Sequence, residues 1–178
     1  LAGFSVQYAP STGSSWSVTP LPGSIAPGRY YLVQEAGGSL GSILPTPDAI
    51  GTIAMSAANG KVALVSSATA LSGACPASPS IMDMVGYGTT ACFEGLGAVA
   101  SLSITLAGLR LDDGFIDTGN NSVDLVVGTP APRNTSSPAH PCSPVPIRLS
   151  YFIGHVNSIA RTVELGWGTL SEVNNYGF

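Results

Sequence analysis

Cys75-Pro-Ala-Ser-Pro-Ser-Ile-Met-Asp-Met-Val-Gly-Tyr-Gly-Thr-Thr-Ala-Cys92 is the stretch that decides the architecture. Its centre, Ile81-Met-Asp-Met-Val-Gly-Tyr-Gly88, has the composition of a short apolar strand. Pro76 and Pro79 bound it on one side, Gly86 and Gly88 on the other. The two cysteines flank the strand, so a disulfide between them ties its beginning to its end. Closing a loop of this length stabilises a fold by about 3 kcal/mol in the chain-entropy account. Two buried free thiols are the alternative. The Pro and Gly turns, which put both cysteines outside the strand, favour the bridge.

Working outward, the most informative number is charge. Charged residues make up 9% of the 178 positions, against about 25% in ordinary soluble domains. Lys61 is the single lysine, the hydrophobic share is 44%, and the mean hydropathy is +0.34. Charge keeps protein surfaces apart, so a chain this neutral tends to associate. It either buries its excess apolar surface in a partner or wears the Ser/Thr/Gly coat of some extracellular β proteins. The net charge of −4, with six basic residues scattered singly, argues against nucleic acid, which needs a basic patch. No apolar run approaches the ~18 residues of a membrane span. The start carries no secretory leader pattern. It opens on Leu1 rather than Met, which reads as an upstream segment removed or not included. A bridge between two of the three cysteines points to an oxidising compartment, hence an extracellular or cell-surface location.

Along the chain, Phe4, Val6 and Tyr8 alternate as one face of a half-buried strand. Trp16 to Val18 resumes extended structure after a Pro-Ser-Thr-Gly turn. Arg29 to Gln34, rich in aromatic and β-branched residues, is the clearest strand by propensity. Ile53-Ala-Met55 and Val62 to Ser66 read as a hairpin about a turn at Ala58-Asn-Gly-Lys61. Residues 95–111 carry leucines at helical spacing, but Ile104, Thr105 and the flanking Gly and Ser favour loop and strand. Leu125 to Val127 is one more short strand, and no convincing helix remains. Ile147, Leu149 and Tyr151 alternate, as do Val163, Leu165 and Trp167, around a turn at Asn157-Ser158: a second hairpin. Many short strands with frequent turns predict an all-β sandwich.

Val85-Gly-Tyr-Gly88 between two cysteines resembles the bacterial, secreted branch of the lamin-tail domain family. Leu1-Ala-Gly-Phe-Ser-Val-Gln-Tyr8, Gly28-Arg-Tyr-Tyr-Leu-Val-Gln34, Gly60-Lys-Val-Ala-Leu-Val65, Asp117-Thr-Gly-Asn-Asn121 and Pro130-Ala-Pro-Arg-Asn134 are similar to it too, in the same order. The resemblance covers about residues 1–142. It implies an all-β, immunoglobulin-like β-sandwich lacking its opening strand or strands. Residues 143–178 form a C-terminal β-hairpin arm, similar to the first strands of a fibronectin-like domain of secreted bacterial proteins. Relatives often have a cysteine near the position of Phe115 that suits one like Cys142. Its absence here leaves Cys142 either buried and inert or linking chains.

A missing edge at one end and a surplus hairpin at the other suggest strand exchange. In that reading the arm of one copy, through Ile147, Leu149, Tyr151, Val163, Leu165, Trp167, Tyr176 and Phe178, completes the sheet of the next. The expected function is a non-catalytic structural subunit that self-associates head to tail into a fibre, tube or surface layer. The alternative is an accessory or binding module of a larger secreted enzyme such as a nuclease, since the resemblance implies such modules.

No pattern for catalysis stands up. Gly37-Gly-Ser-Leu-Gly41 matches a nucleophile elbow as a string but sits in a Gly/Pro loop. Gly95-Leu-Gly-Ala-Val-Ala100 matches a dinucleotide fingerprint without a βαβ setting. His140 and His155 have neither ligand-spaced partners nor an acid to orient them. Asp112, Asp113, Asp117, Asn120 and Asp124 form the densest acidic cluster. Its oxygens suit Ca²⁺, but the spacing is not that of an EF-hand, and a solvated turn with Asx caps is the preferred reading. No other cofactor is expected. Asn120 and Asn134 head glycosylation strings, relevant only in a host with that machinery.

Overall fold

The computed structural model describes residues 1–37, 43–140, 148–157, 160 and 162–171. They fall into two compact units, Leu1–His140 and Pro141–Phe178. The described chain is nearly all β, and its main sheets are antiparallel.

In the first unit the strands are β1 (Ser5–Ala9), β2 (Ser17–Pro20), β3 (Val33–Gln34), β4 (Ala49–Ile50), β5 (Gly60–Val65), β6 (Ile81–Tyr87), β7 (Ala107–Arg110) and β8 (Leu125–Gly128). A single helical turn, α1 (Asn121–Asp124), precedes β8. Four strands form the main antiparallel sheet in the order β2-β1-β5-β6. β7 pairs antiparallel with β8, and β3 pairs parallel with β4.

Both faces of the main sheet are covered. Ala9, Ala63, Val65 and Met84 pack on one side with Trp16, Leu71 and Cys92. Tyr8, Val62, Val85 and Tyr87 pack on the other with Ile53, Val99, Leu102 and Leu125. This corrects the half-buried reading of β1. Ser5 and Gln7, its polar alternates, are also buried, because the chain after β5 folds back over them and supplies backbone partners. Gln7 donates to the Thr69 carbonyl at 2.9 Å and accepts the Leu71 amide at 2.8 Å. The Ser5 hydroxyl donates to the Ser67 carbonyl.

Other expectations also change. The strand over residues 29–34 shrinks to its last two residues, because its tyrosines serve loops instead. Tyr31 donates to the Pro22 carbonyl at 2.8 Å, and Arg133 lies 3.8 Å over the Tyr30 ring. Ile53-Ala-Met55 is not a strand. Its Ile53 amide goes to Glu35 Oε2, and β5 pairs with β1 and β6 rather than with a hairpin partner at 53–55. Gly86 lies inside β6 rather than after it.

The second unit is an antiparallel pair, β9 (Arg148–Asn157) with β10 (Thr162–Ser171). The hairpin expected from the alternation is present. Its register sets Val163 against Val156 and Leu165 against Gly154, with Tyr151 opposite Gly168. Tyr151 and Ile153 therefore lie on one face, and Phe152, Val156, Val163 and Leu165 on the other.

Candidate functional site

The far face of β5 and β6 does not close completely. Val62, Val85 and Tyr87 floor a groove of about 420 Å³, walled by Met55, Val99, Leu102, Leu106, Gly108 and Leu125. No charged side chain lines it. The floor is braced by two tyrosines. The Tyr87 hydroxyl donates to the Ser56 carbonyl at 2.7 Å, and the Ser56 amide donates to the Tyr8 hydroxyl at 3.0 Å. Burial, and then the neighbouring Tyr8, push the Tyr87 hydroxyl well above the ordinary phenol range. Gly60 makes the brace possible: a Cβ there would lie 2.7 Å from Tyr8 Cε2 and from the Tyr87 hydroxyl oxygen.

Beside the groove, the outer edge of β6 is sealed by two side chains and by the backbone of Val99. Glu94 Oε1 accepts the Met84 amide at 3.1 Å. The Asn121 carboxamide accepts the Gly86 amide at 2.8 Å and donates to the Met84 carbonyl at 2.9 Å. Val99 completes the edge, donating to the Gly86 carbonyl and accepting from the Gly88 amide. The seal lies so close that a Cβ on Gly86 would fall 2.1 Å from the Cys92 carbonyl.

At one end Arg110 of β7 reaches Asp83 of β6 at 2.7 Å and Asp117 at 3.1 Å, with Asp124 at 4.0 Å. Asp124 is fully buried. Burial alone would raise its carboxyl, but the Asn120 amide, the Thr118 hydroxyl and amide, and Arg110 together hold it below the usual range. Glu94 goes the other way, raised by burial first and then by the charges of Asp83 and Asp117.

The acidic cluster read from the sequence is thus distributed among protein partners. Asp117 and Asp124 serve Arg110. Asp113 pairs with Arg133 at 2.8 Å. Asn120 accepts the Leu96 amide and the Ser122 hydroxyl. Asp112 and Asp113 adopt left-handed backbone, φ 49° and 55°, in a tight 3₁₀ turn. Among the described residues no group of three or more His, Cys, Asp or Glu is placed to hold a metal ion.

Cys75 and Cys92 form the disulfide, with Cα atoms 5.2 Å apart. Of the arm residues, Tyr151, Val163 and Leu165 are exposed. Leu149 and Trp167 are placed by backbone register, opposite Thr169 and Phe152. Ile147, Tyr176 and Phe178 lie outside the described residues, as do Cys142 and Ser39. No described helix is long and apolar enough to cross a membrane.

Sequence reasoning missed the groove, Glu94 and the role of Asn121. The one available signal for Asn121 was its place in Asp117-Thr-Gly-Asn-Asn121, a turn-rich string that does not announce a buried carboxamide. No family model matches this chain, and neither a curated protein nor a solved structure does.

Proposed function

We propose that this chain is a non-catalytic extracellular structural subunit that assembles head to tail by β-strand exchange into a fibre, tube or surface layer. The observation that carries the proposal is the hairpin. Phe152 is 63% exposed, Val156 75%, Val163 62% and Leu165 57% on one face, with Tyr151 and Ile153 half exposed on the other. A two-stranded hairpin is marginal in water without a further layer or strand, and an apolar surface of this kind marks an interaction site. The 9% charge content offers little repulsion between copies.

In the finer reading of the fold, β7–β8 and the main sheet are the two layers of an immunoglobulin-like, lamin-tail-like sandwich. The Arg110–Asp83 pair and the apolar groove between the layers support it. The disulfide fits an oxidising, extracytoplasmic setting. A second reading, an accessory module that binds an apolar ligand for a larger secreted enzyme, is favoured by the uncharged groove.

Electron microscopy of the full chain beside a chain ending at Pro146 separates them. Regular filaments or tubes from the first and monomers from the second are expected. Assemblies that survive the cut would refute strand exchange through the arm.

A further inference from the structure

Resting on the assembly proposed above, we infer that the groove beside β7 is the receiving site for a strand of the β9–β10 hairpin from a second copy of this chain. Leu111 donates to the Asp124 carbonyl at 2.9 Å, in register with β7–β8. Leu109 and Ala107 therefore turn their backbone groups toward β8, as alternation in an antiparallel ladder requires. The amides and carbonyls of Gly108 and Arg110 point the other way and have no partner among the described residues. A strand laid along this edge gains main-chain bonds there and drops every second side chain into the groove.

Gly108 is what leaves the room. A Cβ on it would touch Val99, Leu125 and Leu102 at 3.7, 3.8 and 3.9 Å, all of them groove-lining residues, so any side chain at 108 would point into the groove and take up its space. The edges of the main sheet are poorer acceptors. β6 is sealed by Asn121, Glu94 and Val99, and β2 ends on Pro20, which has no amide to offer. Chemistry selects the occupant. The groove has no charged lining, and the hairpin face of Phe152, Val156, Val163 and Leu165 matches it with exposed apolar side chains in strand geometry. Two residues along β7 from Gly108, Arg110 is paired with Asp83 at 2.7 Å, and neither charge lines the groove.

The test compares the full chain with Gly108→Val. The variant keeps the β7–β8 bonds and puts two methyl groups where the incoming side chain would lie. It is expected to melt cooperatively and sediment as a monomer, with the concentration needed for assembly raised about ten-fold or more. A folded Gly108→Val chain that assembles like the parent overturns the groove as acceptor and leaves the assembly itself standing. A parent chain monomeric at every concentration removes both. Should Gly108→Val not fold, Leu106→Asp at the rim, where Leu106 is 42% exposed, places a charge in the same path with the same expected loss. Hydrogen exchange supplies an independent readout: the Gly108 and Arg110 amides should slow only on assembly. Protection already present in the monomer would mean that a copy's own arm or a small apolar molecule fills the groove, and would overturn the inference.

Discussion

Asn121 stands to Gly86 as a neighbouring strand would: its carboxamide oxygen accepts the Gly86 amide at 2.8 Å while its nitrogen donates to the Met84 carbonyl. The same oxygen also accepts the Glu94 amide at 3.3 Å. Replacing Asn121 with Ala leaves these buried groups unpaired, so a loss of about 3 kcal/mol is expected from the cost of unsatisfied polar groups. Chemical denaturation at neutral pH measures it. A loss below about 1 kcal/mol would mean that water replaces the side chain there.

Glu94 gives the molecule a pH dependence of definite sign. Its folded carboxyl binds a proton more tightly than in the unfolded chain, because burial and then Asp83 and Asp117 disfavour its charge. Its ionisation therefore erodes stability as pH rises above the ordinary carboxylate range and through the raised folded value. Glu94→Gln keeps an oxygen for the Met84 amide and removes the charge. The variant should melt higher than the parent at pH 7, and the gain should vanish below about pH 4, where the unfolded carboxyl is also protonated. A gain of the same size at pH 3 would disprove the electrostatic cause.

Asp48 and Asp124 work in the opposite direction. The Leu32 amide and then the Thr135 hydroxyl hold the Asp48 carboxyl below the ordinary range, and Asp124 is held low by the bonds described above. Their stabilisation is present above about pH 4 and is lost as pH falls through the lowered folded values. Asp48→Asn should accordingly flatten the acid limb of the melting-temperature profile. An unchanged limb would show that Asp48 does not contribute to it.

Lys61 is fully buried, with its ammonium bonded to the Gly13 and Ala74 carbonyls and lying 5.6 Å from the Trp16 ring centre. Burial lowers its pKa. An amine-directed acylating reagent should leave Lys61 unmodified in the native chain and modify it after denaturation. Peptide mass spectrometry reads both states, and rapid native labelling would contradict the burial.

Reduction of Cys75–Cys92 should lower stability by about 3 kcal/mol, the chain-entropy expectation for a loop of this size. The check is denaturation with and without reductant. Equal midpoints would show that packing of Cys92 against Met84 holds the loop without the bond.

Legibility followed the range of the interaction. β6, β8 and the hairpin were readable because Ile81, Val85, Leu125, Val163 and Leu165 announce strands by local composition. The disulfide was readable from where Pro and Gly put the two cysteines. β1 was misread because Ser5 and Gln7 look like a solvent face, and only a loop more than sixty residues away in sequence satisfies them. The strand expected at 29–34 failed because Tyr30 and Tyr31 answer to Arg133 and Pro22 rather than to a ladder. The groove and the sealed β6 edge depend on Gly60, Gly86, Glu94 and Asn121 meeting from distant positions. None of these announces such a contact in its own neighbourhood.

The bond between Cys75 and Cys92 spans a sequence separation of 17 residues, and all of β6 lies inside the loop. Under tension, a pull transmitted along the backbone passes from one sulfur to the other and skips that segment. Roughly 50 Å of contour length is thereby withheld from stretching, at the ~3.4 Å per residue of an extended chain. In a single-molecule pulling experiment, reductant should release that length as an added extension. A filament made of such subunits would give less under load, and the edge strand of each main sheet would be the part least able to peel away.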